Sequence, residues 1–147
     1  MKLRIKRFNE LTTDELYAIL RLRVSVFVVE QQCPYPEIDN LDQDAIHIWL
    51  EDENSIEAYL RILDKGVENE HCAIGRVIAV KRHCGLGRIM REGIRVAVEQ
   101  FGADTVYIEA QTYAREFYEQ MGFKQISDEF VLDGIPHVKM ILDISRE

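Results

Sequence analysis

The chain has 147 residues, of which 47% are hydrophobic and 30% charged, with a formal net charge of −8 at pH 7. A chain of this size forms one compact core, so we predict a single domain over residues 1–147, and the low content of 8 Gly and 3 Pro excludes a fibrous or disordered chain. The acidic balance argues against a nucleic-acid or anionic-membrane partner.

The first part of the chain predicts a strand, a helix and a long loop. Charged and apolar residues alternate at the start of residues 2–8, which is the period of a half-buried strand. Thr12 and Glu15 form a capping-box pattern and apolar residues then recur at helical spacing, so a helix is predicted over 13–28. Residues 30–44 contain two prolines and many acids without apolar periodicity, which indicates a long loop of a kind that is often functional.

The middle of the chain predicts three successive strands and a helix. Alternating residues over 46–50 and 56–62 flank the turn residues 52–54, which is typical of a β-hairpin. The β-branched run over 72–80 predicts a central strand. Apolar residues recur at helical spacing over 86–101, and Gly102 stands where a helix C-cap belongs.

The last part predicts a strand over 106–111, a short helix over 114–121 that ends at Gly122, and a hairpin that turns at Asp133-Gly134. The order of elements is therefore β-α-β-β-β-α-β-α-β-β. This order predicts an α/β (α+β) fold with a mixed sheet flanked by helices.

Cellular location follows from the apolar runs and the cysteines. No run is apolar for long enough to form a signal peptide or a membrane span. Cys33, Cys72 and Cys84 are an odd set without Cys-x-x-Cys spacing, as expected of thiols that stay reduced. We therefore expect a cytoplasmic protein without a membrane partner.

The charges are distributed unevenly along the chain. Residues 30–57 contain nine acids and no Lys or Arg, whereas residues 76–95 contain six bases and one acid. Two such surfaces would suit one cationic and one anionic substrate. The alternative is that both runs are solvated faces without a ligand.

A glycine turn lies inside the basic run. The strand that ends at Val80 leads through Arg82-His83-Cys84-Gly85-Leu86-Gly87 directly into a helix. Glycines let consecutive amides converge on a phosphate, and the helix dipole adds positive potential. The pattern lacks the third glycine of a dinucleotide fingerprint, where Met90 stands, and no P-loop is present. An ordinary tight turn is the alternative.

Two motifs together carry a family resemblance. Arg82-x-x-Gly85-x-Gly87 follows an apolar strand, and residues 114–123 read Ala-Arg-Glu-Phe-Tyr-Glu-Gln-Met-Gly-Phe. They resemble the pyrophosphate-binding motif and the Phe-Tyr-x-x-x-Gly-Phe motif of the GNAT superfamily of acetyl-CoA-dependent N-acetyltransferases, and the element order agrees. Residues 26–39 and 133–137 resemble the ElaA-type branch of that superfamily, for which no acceptor is settled.

The resemblance implies a GNAT-like, mostly antiparallel sheet and acetyl-CoA as co-substrate. It implies that backbone amides at Gly85 and Gly87 hold the pyrophosphate, with Arg82 and Arg88 as charged support.

The pantetheine arm would lie along the strand edge, like an extra strand. The residues that it would follow are Ile78, Ala79 and Val80. A backbone amide there would polarise the thioester carbonyl. The alternative is that the three residues only form core strand.

Acyl transfer to an amine also needs proton transfers. By resemblance, Tyr118 is the general acid that protonates the leaving thiolate, and its alternative role is packing. Glu109 is the first candidate for the general base, although it could be a solvated strand residue, and His137 is the second.

The acidic loop supplies candidates for binding a cationic amine acceptor. They are Glu30, Asp39 and Asp42, with His137 added from the C-terminal hairpin. The sequence identifies neither the acceptor nor the oligomeric state, and a homodimer is one arrangement that it allows.

Metal binding and a covalent intermediate are disfavoured. His71-Cys72 and His83-Cys84 match no familiar zinc spacing, so we expect no metal. Cys84 has no identifiable base partner beyond His83, so direct attack in a ternary complex is preferred to an acyl-cysteine. The rival functions are a CoA-binding regulatory module without turnover and a protein that binds another phosphate ligand.

Overall fold

The computed structural model describes residues 1–53, 55–81 and 85–144. Within these residues the chain forms one sheet of eight strands and three α-helices. The strands are β1 (Lys2–Arg7), β2 (Ile46–Glu51), β3 (Ile56–Leu63), β4 (Cys72–Ala79), β5 (Thr105–Gln111), β6 (Lys124–Gln125), β7 (Phe130–Leu132) and β8 (Ile135–Asp143). The helices are α1 (Thr13–Val24), α2 (Leu86–Phe101) and α3 (Arg115–Gln120).

The strands lie in the order β1-β2-β3-β4-β5-β8-β6, and β7 pairs with β8. Among the described strands, every pairing is antiparallel except β4 with β5. The predicted fold class, a mixed and mostly antiparallel sheet with helices, is therefore confirmed.

The β4–β5 pairing is short. Within the described residues it comprises two residue pairs, Cys72 with Val106 and Ala73 with Tyr107. Both strands continue well beyond these pairs, so they separate and leave a gap in the middle of the sheet.

The first helix begins where the capping box predicts. Thr12 Oγ1 accepts a hydrogen bond from the Glu15 amide at 3.1 Å, and the Thr12 amide donates to Glu15 Oε1 at 2.9 Å. These two bonds satisfy amides that a helix start otherwise leaves unpaired. The predicted end was wrong in kind, because α1 ends at Val24 and the chain continues as a wider π-helical segment over Ser25–Glu30. Apolar spacing does not distinguish the two geometries.

The two faces of the sheet bury different helices. On one face, Ile48 of β2 and Leu60 of β3 pack in a cluster with Ile89 and Met90 of α2. On the other face, Ile19 of α1 packs with Trp49, Tyr59 and Ile78. The alternation of strand side chains between faces therefore places α1 and α2 on opposite sides.

The C-terminal hairpin turns as predicted. Asp133 and Gly134 have φ of 52° and 79°, and two such residues between paired strands are typical of a type I′ turn. Strand β6 was not predicted, because Lys124–Gln125 is too short to show alternation. Among the described residues, no helix is both long and apolar enough to cross a bilayer.

Candidate active site

The gap between β4 and β5 opens into a cavity of about 600 Å³. Its walls come from the π-helical segment after α1, from β4 and β5, from the start of α3, and from the turn between β7 and β8. The sheet thus supplies the edges of two strands, and elements from both faces close the sides.

A bulge shapes the β4 edge of this cavity. In the pairing with β3, Arg61 lies opposite Gly75 but Tyr59 lies opposite Ile78, so β4 has one residue more than β3 over this stretch. Arg76 has a φ of 53°, a left-handed conformation that is uncommon for a bulky residue. Such a bulge bends a strand and redirects its side chains and backbone groups.

After the bulge, some backbone groups of β4 point away from β3. The Val80 amide donates to the Glu57 carbonyl at 2.9 Å, and Tyr59 lies opposite Ile78. Successive residues of a strand direct their backbone groups to opposite sides. The backbone groups of Ala79 therefore point away from β3, toward the gap. Of the three residues expected along the pantetheine arm, Ala79 has the orientation that would accept an added strand.

The described part of the glycine turn forms the N-terminus of α2. Gly85 is the N-cap and has a φ of 84°, and a Cβ there would lie 3.0 Å from Leu50 Cδ1. Only glycine fits this position without strain. The first-turn amides of α2 lack intrahelical partners and can bind an anion.

The neighbouring residues keep this helix start positive and accessible. A Cβ at Gly87 would lie 3.2 Å from Arg91 Nη1. Arg88 is exposed, and its Nη1 donates to the Met1 carbonyl at 3.4 Å. The expected support from Arg82, and the pair His83-Cys84, lie outside the described residues.

Tyr118 lies at the wall of the cavity and is 7% exposed. Its ring makes edge-to-face contacts with Phe117 and Phe123, at centroid distances of 5.1 and 5.8 Å. Burial raises the pKa of its hydroxyl to about 12. The phenol therefore holds its proton at neutral pH and can donate it.

Glu109 is an exposed residue of β5 and lines the same cavity. The Tyr107 hydroxyl donates a hydrogen bond to Glu109 Oε2 at 2.8 Å. This bond fixes the carboxylate but occupies one of its oxygens. Sequence reasoning missed Tyr107, although residues two apart on a strand lie on the same face and could have been paired.

His137 lines the cavity from β8, opposite Gln111 of β5. Its Nδ1 lies 2.7 Å from the Ile135 carbonyl oxygen, which can only accept a hydrogen bond. Nδ1 therefore carries the proton in the neutral ring, and Nε2 holds a lone pair. The Phe130 ring lies 6.0 Å from the imidazole.

The acidic loop does not form one acceptor site. Glu30 lines the cavity, whereas Asp39 and Asp42 are absent from its walls. Arg61 binds both oxygens of Asp39, at 2.5 and 2.9 Å, and Asp42 Oδ1 lies 2.6 Å from Arg23 Nη1. The expectation that Asp39 and Asp42 bind the acceptor does not fit this geometry, because arginines already neutralise both carboxylates.

The ion pairs also change the acidity of the loop. Burial by itself would raise the pKa of Asp39, but the hydrogen bonds and charge of Arg61 outweigh it and lower the pKa to about 2. The pKa of Asp42 is lowered in the same way, against the effect of burial, by Arg23 and Arg61. The loop carboxylates thus stay ionised as partners of buried arginines.

Sequence reasoning missed Arg23 and Arg61, which are 0% and 1% exposed. The run of nine acids without a base was a partial signal, since any of its carboxylates that become buried need cations from elsewhere in the chain. Which cations these are depends on contacts between distant residues.

The remaining charge of the cavity wall is negative. Carboxylates of Glu30, Glu68, Glu109 and Asp133 line it. The guanidinium of Arg76 is also present, but it is bound to Glu37 and Asp39. The described wall therefore attracts a cation more than an anion.

Comparisons with known proteins agree with this arrangement. Residues 13–144 match the acetyltransferase (GNAT) domain family. The chain belongs to the GNAT acetyltransferase family. It is an ElaA-like member and an acyltransferase.

Three proteins illustrate the similarity. The chain is 38% identical over 144 residues to a UPF0039 protein of Schizosaccharomyces pombe, with 95% of each covered. It is 38% identical over 143 residues to protein ElaA of Escherichia coli, with 92% of each covered. It also resembles the crystal structure of an acyl-CoA N-acyltransferase from Pseudomonas aeruginosa, with a TM-score of 0.89 at 34% identity, covering 97% of this chain and 99% of the other.

Proposed function

We propose that this GNAT acyltransferase moves an acetyl group from acetyl-CoA to the primary amine of a cationic acceptor, by direct attack in a ternary complex. The observation that carries the proposal is the gap between β4 and β5. It joins a strand edge that accepts an added strand to a wall that contains a protonated phenol and several carboxylates.

Acetyl-CoA binds along two features in this proposal. Its pyrophosphate lies at the N-terminus of α2, where the glycines allow close approach and Arg88 adds positive charge. Its pantetheine arm lies along β4, and the Ala79 amide donates a hydrogen bond to the thioester carbonyl oxygen. The thioester carbonyl is then polarised by a backbone donor of the enzyme.

The reaction conserves atoms and charge in a simple way. The neutral amine nitrogen attacks the thioester carbon, the carbon–sulfur bond breaks, and the Tyr118 hydroxyl protonates the departing thiolate. The acylated nitrogen then loses its second proton, which passes to the Tyr118 oxygen and restores the hydroxyl. The acceptor ammonium first loses a proton to Glu109 or to Nε2 of His137, both of which line the cavity. Neither group needs to change its hydrogen bond at the other atom to accept that proton.

The acceptor is a cationic amine because of the charge of the cavity wall. Glu30, at the end of the segment after α1, and Asp133, in the turn between β7 and β8, both line the cavity. Both are exposed carboxylates that can orient an ammonium group. We place the reaction in the cytoplasm, where the free thiols of Cys33 and Cys72 would stay reduced.

The test combines binding and turnover on the same protein. Calorimetry should detect acetyl-CoA binding, and addition of monoamines, polyamines and amino-terminal peptides should release free CoA thiol for at least one acceptor class. Binding without thiol release across the panel would favour a regulatory CoA-binding module. Nucleotide binding without CoA binding would contradict the proposal.

A further inference from the structure

The bulge in β4 requires a residue in an unfavourable conformation. Arg76 is not a glycine, yet its φ is 53°. A non-glycine residue in the left-handed region is strained, and it persists only where its surroundings fix it. The contacts of the Arg76 side chain show what fixes it.

The acidic loop grips this side chain at several atoms. Arg76 Nε donates to Glu37 Oε2 at 2.7 Å, and Arg76 Nη2 donates to the Glu37 carbonyl and to Asp39 Oδ2, both at 3.2 Å. The guanidinium carbon also lies 5.7 Å from the centroid of the Tyr35 ring. One strand residue is thus held by three residues of the loop.

The loop residues are in turn bound to the rigid elements of the fold. Glu37 is 3% exposed, and the same Oε2 accepts a second hydrogen bond, from Arg23 Nε of α1 at 2.7 Å. The Tyr35 hydroxyl donates to Glu37 Oε1. Asp39 is bound to Arg61 of β3. Through Glu37, the bulge of β4 is therefore connected to a buried arginine on α1.

We propose that Arg76 is a positioning residue, and that Glu37 uses it to clamp the β4 bulge in the conformation that turns the Ala79 backbone toward the acyl donor. This inference rests on the proposed function for the role of the β4 edge. It assigns the acidic loop a task in binding the acyl-CoA strand, although its charge first indicated acceptor binding.

The clamp depends on the fixed geometry of the guanidinium hydrogen bonds and not on charge alone. A guanidinium fixes several donors in one plane, whereas a lysine ammonium is a point charge on a flexible stem. Loss of the clamp leaves the bulge free to relax, which misplaces the backbone donor. A displacement of about 1 Å at a reacting centre costs about 100-fold in rate.

The experiment uses the full chain with two variants and a matched control. Arg76→Gly keeps a residue that tolerates the positive φ but removes the clamp, and Glu37→Gln removes the charge that both arginines bind. Glu51→Gln is the control, because Glu51 also accepts an arginine Nε at 2.7 Å, from Arg4 at the far edge of the sheet. Each protein is assayed for acetyl-CoA binding, for steady-state kinetics and for amide hydrogen exchange over residues 74–80.

We expect kcat/KM for acetyl-CoA to fall about 10- to 100-fold in Arg76→Gly and Glu37→Gln, with the KM for acetyl-CoA raised. Arg76→Lys should recover only part of this loss. Backbone amides in this stretch that bond to β3, such as that of Val80, should exchange faster in both clamp variants. Their exchange rates should be unchanged in Glu51→Gln.

Two results would overturn the proposal. One is a wild-type kcat/KM and KM in Arg76→Gly, even if that variant melts at a lower temperature, because the residue would then be structural only. The other is unchanged exchange over residues 74–80. If the wild-type protein binds no acetyl-CoA, the proposed function fails, and the exchange measurement alone decides whether the clamp exists.

Discussion

The two faces of the central strands are built from different chemistry. Toward α2, the strands present apolar side chains such as Ile48, Leu60 and Ile74. Toward α1, they present His47 and Arg61 beside the apolar residues. Apolar packing is non-directional, whereas ion pairs and hydrogen bonds fix distances and angles. The α2 face therefore contributes mainly stability, and the α1 face determines where the acidic loop and the β4 bulge lie.

The largest expected effect concerns the hydroxyl of Tyr118, which packs in the apolar cluster and lines the cavity. Tyr118→Phe should lower kcat by about 100-fold to 10,000-fold, because the thiolate loses its proton donor. The free energy of unfolding and the acetyl-CoA dissociation constant should change little, since the ring contacts remain. Tyr113→Phe is the control, because Tyr113 lines the same cavity but is highly exposed. An unchanged kcat in Tyr118→Phe would contradict the role of the phenol.

The next largest effect concerns the buried ion pairs on the sheet face toward α1. Arg23→Met should lower the free energy of unfolding by about 3 kcal/mol, because it leaves the buried carboxylates of Glu37 and Asp42 with fewer partners. Urea denaturation measures the change. Arg4→Met removes a more exposed ion pair with Glu51 and should cost at most about 1 kcal/mol. Equal losses in the two variants would show that the buried network is not special.

A smaller effect tests the packing of the apolar face. A Cβ at Gly93 of α2 would lie 3.0 Å from Leu60 Cδ2 and 3.3 Å from Ile74 Cδ1. Gly93→Val should therefore destabilise the fold by about 1–3 kcal/mol through overpacking. Gln100→Val on the exposed side of α2 measures the cost of a β-branched residue in this helix. If both variants lose the same free energy in urea, the close approach has no consequence.

The smallest effect is a pH dependence that belongs to the α1 face. His47 is buried, and burial lowers its pKa below 6.5. It accepts a hydrogen bond from the Tyr59 hydroxyl at 2.7 Å on Nδ1 and donates to the Asp42 carbonyl at 3.0 Å from Nε2, so its neutral form is satisfied.

The sign of this dependence follows from proton uptake. Below pH 6.5 the unfolded chain protonates His47 before the folded chain does. The stability is fully present above that pH and should fall by up to about 1.4 kcal/mol per pH unit as the pH decreases toward the folded pKa. Urea titrations between pH 7.5 and pH 5 on wild type and His47→Gln measure it, and an identical slope in both would contradict the assignment.

The sequence predicted what local patterns determine. The capping box placed the start of α1, and helical spacing with Gly102 placed α2, because these signals lie within a few residues of each other. The family resemblance named Tyr118 as the general acid, and Glu109 and His137 were chosen as candidate bases; all three line one cavity, and their roles stay predictions.

The remainder depends on contacts between distant segments. The bond of Arg76 to Glu37 joins residues 39 positions apart and the pairing of Asp39 with Arg61 joins residues 22 positions apart, and no periodicity encodes either contact. A run of acids looks the same in sequence whether it faces solvent or buried arginines. The sequence therefore shows that the loop is acidic, but it does not show that the loop carboxylates face buried arginines.

The short β4–β5 pairing has a mechanical consequence. Within the described strands, backbone pairing joins the N-terminal half of the sheet, β1 to β4, to the C-terminal half, β5 to β8, at two residue pairs. A molecule bound along both free edges would act as a further strand and join the halves over their full length. Its binding free energy would then add to the unfolding free energy of both halves together. In this fold the donor substrate would act as a strand that binds and leaves in each turnover. The gap between β4 and β5 would be filled and emptied once per cycle.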